Sequence, residues 1–218
     1  MTFLQQQKRY WRQQQRRRDP NHPAVAGFAR PKVDIIKKWL PIGETPTILE
    51  IGAGNGYLTN YLHDLGTVAA VDFSLPMLRE NRCDTRAVAD ALHLPFRNRV
   101  CDVVVEANLL HHVAQPAAVV REMGRVSKGL VVLIEPNRWN PFMLTLGLVK
   151  REERRTLLMC SGYLKSLVQE ADLALVDLVA RGFVTPNRMP LWLARFLCRL
   201  ERPSRFAAYL VAVGRRLG

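Results

Sequence analysis

The sequence has few cysteines, no long apolar run and few acidic residues in its two flanks. Its four cysteines (Cys83, Cys101, Cys160 and Cys198) include no CxxC pair. That spacing argues against a zinc ribbon or redox dithiol, no metal site is expected, and scattered thiols suit a reducing compartment. The longest apolar stretches, 142–149 and 206–213, run to eight residues, against roughly 20 needed to span a bilayer. The opening MTFLQQQKRYW offers no apolar core of a secretory signal. These absences together lead one to expect a soluble, cytoplasmic protein.

The chain has 218 residues, 48% hydrophobic and 23% charged. These values exclude a disordered chain, collagen or a coiled-coil rod and favour one domain with extensions. Net charge is +13 and uneven. Residues 1–32 hold eight bases and one acid, residues 33–146 eleven bases and twelve acids, and residues 147–218 thirteen bases and six acids. Basic flanks attract phosphate on nucleic acid, lipid head groups or a charged metabolite, and they equally describe a solvated surface.

The polar stretch Gln5 to Arg18 ends at Asp19-Pro20, as a helix or arm followed by a break. Residues 31–40 have helical spacing, with Val33, Ile36 and Leu40 on one face and Pro41 closing it. Short runs rich in Val, Ile and Leu follow at Thr47–Ile51, Val68–Val71, Arg86–Ala89, Asp102–Val105 and Leu130–Ile134. Helical spacing lies between them at 56–65, 75–82 and 116–127. Such alternation, with strands apolar on both faces, predicts an α/β fold with a parallel sheet covered by helices on both sides. Beyond Pro136 come an apolar insert (Trp139 to Val149), a helix near 161–171, an apolar run at 173–179, an amphipathic helix at 191–202 and a strand-like run, Ala207 to Val213.

The first strand leads into Gly52-Ala53-Gly54-Asn55-Gly56-Tyr57. Glycines there let the backbone turn sharply and approach a ligand, and a helix beginning near Gly56 would offer free N–H groups to an anion. The spacing departs from the G-x-G-x-x-G of dinucleotide sites, with Tyr57 where the third glycine belongs, so a smaller carboxylate-bearing ligand fits better. Eighteen residues after Gly54 the second strand ends in Asp72, a carboxylate suited to accept from two ribose hydroxyls. The third ends in Asp90-Ala91, an acceptor for an exocyclic amino group. Three such features at successive strand ends form one site at the carboxyl rim of an open sheet.

These residues resemble the class I S-adenosylmethionine-dependent methyltransferases, and most closely the small-molecule branch that includes quinone-biosynthesis enzymes. LEIGAGNGYLT, AAVDFSLPML, ADALHLPFRNRVCDVVV, EANLLHHV and REMGRVSKGLVVLIEPN carry the resemblance, from about Thr47 to Asn137. It implies a Rossmann-like seven-stranded sheet of order 3-2-1-4-5-7-6 whose last strand is antiparallel, a role for Ala207–Val213. It also implies a basic arm (1–30) and one methyltransferase domain (31–218), with a cofactor half at about 46–137 and an acceptor side at about 138–218. The implied cofactor is S-adenosylmethionine, with Glu50, Gly52, Ala53, Gly54 and Gly56 on its methionine part and Asp72 on the ribose. Asp90 and Ala91 take the adenine, and Phe73, Glu106 and Ala107 complete the set. Where the family often has Lys-Pro-Gly-Gly before strand five, this chain has Ser127-Lys128-Gly129, and a looser turn is expected.

Methyl transfer needs alignment and a dry pocket more than a protein nucleophile. An oxygen or carbon acceptor needs a base, and the strand-four exit Glu106-Ala107-Asn108-Leu109-Leu110-His111-His112 supplies His112 as the catalytic candidate. His111 is read as a loop or cap residue. Glu135-Pro136-Asn137-Arg138-Trp139 is read either as an acceptor wall or as a proline-shaped loop. In 191–202, Leu193, Phe196, Leu197 and Leu200 oppose Arg195, Arg199 and Arg202. That pattern suits a helix packed on its own domain or one lying on an anionic membrane that delivers an apolar, lipid-linked acceptor. The alternative activity is methylation of RNA or a nucleotide base through the basic flanks. Against it, strand four lacks an Asn-Pro-Pro-aromatic clamp and the chain lacks a Pro-Cys pair. Oligomeric state is left open.

Overall fold

β-Branched runs in this chain extend and pair because their side chains fit a pleated, buried surface better than a helix. In the computed structural model, which describes residue 11 and residues 19–183, 190–199 and 202–216, they form one sheet. The strands are β1 (Thr47–Ile51), β2 (Thr67–Asp72), β3 (Thr85–Val88), β4 (Cys101–Ala107), β5 (Ser127–Pro136), β6 (Leu173–Arg181) and β7 (Tyr209–Arg216). Their order is β3-β2-β1-β4-β5-β7-β6, as the resemblance implies. β7 runs antiparallel to both β5 and β6, while β1 to β5 pair in parallel.

Helices cover the sheet: α1 (Pro23–Lys37), α2 (Thr59–Leu62), α3 (Leu75–Glu80), α4 (Pro116–Val126), α5 (Pro141–Val149), α6 (Ser161–Glu170) and α7 (Leu191–Arg199). α4 shows how sequence places them. Pro116 starts it, where a missing N–H costs nothing, and Val119, Val120, Met123 and Val126 form its buried stripe. It ends at Ser127, whose extended backbone opens β5 directly. The Ser127 hydroxyl donates to Leu130 O and accepts from the Gly129 N–H, so a side chain closes the turn expected to be loose. β5 is buried from Leu130 to Pro136; each large apolar side chain so buried contributes roughly 1.5–3 kcal/mol.

Three expectations change. α1 begins at Pro23 rather than 31 and runs through Pro31. Ala24, Val25 and Ala29 are buried along with Val33 and Ile36, so packing extends the helix upstream. β3 is exposed along its length, because it is the sheet edge and not a strand covered on both faces. The helix expected over 56–65 contracts to the four residues of α2. The Gly56 N–H donates to Ala53 O, and the glycines hold the backbone outside helical conformations up to that point, so no helix N-terminus meets a ligand there. Residues 8–10 and 12–18 of the basic arm, and Leu200 of the amphipathic segment, lie outside the described residues. Arg202 follows α7 as exposed non-helical chain. Among the described residues no helix is long and apolar enough to cross a membrane.

Candidate active site

β1 and β4 are neighbours from which the chain leads outward in opposite directions, which makes their carboxyl ends the switch point of the sheet. Here Gly52, Gly54 and Gly56 have φ of +70°, +51° and +88°. A Cβ on Gly54 would lie 2.7 Å from Met77 Cε, and one on Gly56 would lie 2.8 Å from Asn81 Oδ1. The positive φ at all three demands glycine, and at Gly56 the buried Asn81 amide adds a packing reason, whereas the Met77 end beside Gly54 could move aside. The Ala53 N–H donates to Val71 O (3.0 Å) and ties the loop to β2.

Asp72 ends β2 and is buried. One carboxylate oxygen accepts from the Gly54 N–H (2.9 Å), the other from the Ser74 N–H (2.7 Å). Two main-chain donors fix its orientation at the end of β2. Glu50, buried in β1, accepts from the Thr59 hydroxyl. Burial pushes its carboxyl up to about 8, the Thr59 bond opposing and the Asp72 charge adding. Asp90 is exposed and accepts from the Leu92 N–H (3.0 Å); Ala91, which follows it, and Phe73, which follows Asp72, are half-buried. Buried carboxylates beside a cradle too tight for a Cβ fit a ligand with cationic and diol groups. S-Adenosylmethionine carries an ammonium, a sulfonium and a ribose, so the residues present fit it.

Glu106 occupies β4, fully buried. Its oxygens accept from the N–H groups of Leu109 (3.1 Å) and Ile134 (3.0 Å). Burial, then the Glu135 charge, hold its carboxyl well above the ordinary range. It thus braces the β4 exit, while Ala107 stays half-buried beside it. Asn108 takes a left-handed φ of 57°, and a 3₁₀ turn, Leu110–His112, follows.

That turn gathers residues from distant parts of the chain. His111 Nδ1 lies 2.5 Å from Glu135 Oε2, and Glu135 Oε1 accepts from the Leu110 N–H (2.7 Å). His111 Nε2 lies 3.5 Å from Glu153 Oε2. Burial opposes charge on His111, but Glu135 and Glu153 outweigh it and raise the ring to about 9. His112 is buried, its Nε2 4.0 Å from the same Glu153 oxygen and its Nδ1 without a hydrogen-bond partner. Burial, then His111, hold its ring well below the ordinary range, so it is neutral at pH 7. Trp11 meets the His112 ring edge-on at 5.0 Å.

The structure therefore joins Glu50, Asp72 and the glycine loop directly, and sets Glu106, His111 and His112 at the adjoining strand end. Trp139 is 53% exposed with the Arg138 guanidinium over its ring. Asn137 pins this loop by donating to the carbonyls of Arg205 and Ala207. Glu153 does not stand out in the sequence because it sits in the charge run Arg151-Glu152-Glu153-Arg154-Arg155, where nothing in the spacing marks one acid. A cleft of about 360 Å³ opens at the opposite edge of the sheet, by Trp39, Pro46, Asp102 and Lys128. It lacks the glycine turn and lies away from the edge where open α/β sheets bind ligands.

The sheet order and the glycine rim are those of the class I S-adenosylmethionine-dependent methyltransferase fold. Residues 49–133 match the family profile described as "Methyltransferase domain". A demethylmenaquinone methyltransferase of a Roseiflexus species is 39% identical over 90 residues, covering 37% of this chain and 37% of that one. The enzyme of the same name from Roseiflexus castenholzii is 36% identical over 111 residues, covering 45% of this chain and 46% of its own. The matches thus span less than half the length of these relatives. Among solved structures, a Thermotoga maritima S-adenosylmethionine-dependent methyltransferase aligns with a TM-score of 0.69 at 18% identity, covering 88% of this chain and 92% of that one. The magnesium protoporphyrin IX methyltransferase of Synechocystis, with S-adenosylmethionine bound, aligns at 0.62 and 12% identity, covering 100% and 98%. At these identities the structural likeness shows the fold.

Proposed function

We propose that the protein transfers a methyl group from S-adenosylmethionine to a small apolar acceptor of the quinone type. One observation carries this reading: the glycine cradle and the doubly braced Asp72 stand beside buried Glu50 at the switch point. The bound cofactor supplies an activated methyl group. Glu50 with the loop Gly52–Gly56 holds the methionine part, Asp72 the ribose, and Asp90, Ala91 and Phe73 the adenine side. Ala107 lines the β4 exit, which Glu106 braces. His112 acts on the acceptor as base or orienting group, since its buried Nδ1 is the polar atom a hydroxyl would satisfy. The named relatives act on demethylmenaquinone, which supports a quinone-like acceptor.

The acceptor side supports an encounter at a membrane surface. Phe142, Leu148 and Val149 of α5 are exposed, as are Trp192 and Phe196 of α7. Arg138 lies over exposed Trp139, and Arg205 over exposed Phe206. Exposed aromatics next to arginines suit the boundary between head groups and acyl chains.

Calorimetry with S-adenosylmethionine tests the core of the proposal. Charge-assisted hydrogen bonds contribute about 1.5–3 kcal/mol, so Asp72→Ala weakens binding at least about tenfold. His112→Ala lowers turnover of a quinol acceptor by roughly 10²–10⁴-fold and leaves cofactor affinity within about threefold. A folded wild type with no measurable cofactor affinity would overturn the assignment.

A further inference from the structure

The two histidines after β4 face one carboxylate from a segment more than 40 residues downstream. His111, His112 and Glu153 each offer one ligand atom, and these atoms lie within 4.8 Å of one another. Both imidazoles are buried, and the Glu153 side chain is only 13% exposed. The Nε2 to Oε2 distances, 3.5 Å and 4.0 Å, are long for hydrogen bonds. They are close to the spacing of ligands around one ion, since donors at about 2.0–2.2 Å from a tetrahedral zinc lie roughly 3.4 Å apart.

The surroundings of His111 add a second, independent observation. Its Nδ1 faces Glu135, which is itself held by the Leu110 N–H. With Nδ1 turned to that carboxylate, Nε2 is the nitrogen left facing Glu153, and a bound ion takes the place of its proton. A carboxylate that fixes the ring and tautomer of a histidine in this way is the usual support of a metal-ligating imidazole. Two imidazoles and one carboxylate are a donor set for Zn²⁺, Co²⁺ or Fe²⁺ rather than for Mg²⁺ or Ca²⁺.

We infer that His111 Nε2, His112 Nε2 and Glu153 bind one divalent transition-metal ion at the β4 exit, with Glu135 orienting His111. Three protein ligands leave a further position for water or an oxygen of the acceptor, as in catalytic rather than structural sites. In that arrangement His112 carries its proton on Nδ1 and orients the acceptor instead of deprotonating it. This use of the ion rests on the methyl-transfer reading; the binding of the ion does not.

The test uses the full chain, stripped with a chelator, desalted and titrated with Zn²⁺ by calorimetry and with Co²⁺ by visible absorption. One Zn²⁺ per chain and Co²⁺ ligand-field bands are expected. Glu153→Gln, which keeps side-chain volume, and His112→Ala each weaken Zn²⁺ binding by at least about tenfold, since even orienting residues are worth 10–100-fold. His63→Ala, an exposed histidine elsewhere, leaves it unchanged. Absence of saturable binding in the folded wild type, or undiminished binding in both Glu153→Gln and His112→Ala, overturns the site. Titration of the same preparation with S-adenosylmethionine separates the two proposals. Cofactor binding without metal binding overturns the metal site alone, and metal binding without cofactor binding upholds it while overturning the methyl-transfer reading.

Discussion

Glu50 shows what burial does to a single carboxyl at the rim. With its folded value raised to about 8 from an ordinary 4.5, it binds a proton more tightly in the fold than in the unfolded chain. Below about pH 4.5 both states are protonated and nothing is lost. As pH rises toward 8 the unfolded chain ionises first, and stability falls by about 1.4 kcal/mol per pH unit from this group. Denaturation of Glu50→Gln between pH 5 and 8 should show a correspondingly flatter dependence than the wild type. On the proposed placement a ligand ammonium lies beside Glu50 and favours its ionised form, and cofactor binding at pH 7 should then expel most of a proton. Calorimetry in buffers of different ionisation enthalpy measures that release, and buffer-independent heats would remove Glu50 from the ligand contact.

At the scale of an element, the site depends on strands that end together and on helices that hold them in place. α4 turns Val119, Val120, Met123 and Val126 toward the sheet and leaves Arg121 in solvent. Arg125, on its last turn, pairs with Glu122 and donates to the carbonyls of Leu94 and Phe96, which anchors the chain between β3 and β4. Truncating a fully buried side chain on this face removes transfer energy and leaves a cavity. Met123→Ala should therefore cost about 2–5 kcal/mol in urea denaturation. Arg121→Ala should stay within about 0.5 kcal/mol.

Across the whole molecule, the pieces that follow β5 meet at one end. Met143 of α5, Phe28 of α1 and Tyr209 of β7 share a small cluster, and α7 packs on α1. The cluster brings the exposed aromatics of α5 and α7 to neighbouring elements. Co-sedimentation with anionic vesicles should show binding at low salt that is lost at high salt. It should weaken when Arg195, Arg199 and Arg202 become glutamine, each basic residue near an anionic leaflet contributing about 1 kcal/mol. Failure to bind at low salt would leave α7 as a helix whose role is packing on α1.

The strands and the glycine turn after β1 were legible in the sequence because their determinants are local, whereas the order of the sheet followed only from the resemblance to a known family. Strand runs, glycines that must take positive φ and an acid at a strand end are each written in a few consecutive residues. The edge exposure of β3 was not legible, since a short apolar run looks alike at the centre or the border of a sheet. Nor was the start of α1, which depends on what Ala24 and Ala29 pack against. Tertiary structure alone decided that Glu135 holds His111 and that Glu153 comes within 4.0 Å of both histidines. The physical reason is separation along the chain. Contacts across 24 and more than 40 residues leave no periodicity to read, and they arise only when β4, β5 and the segment after α5 are packed at one rim.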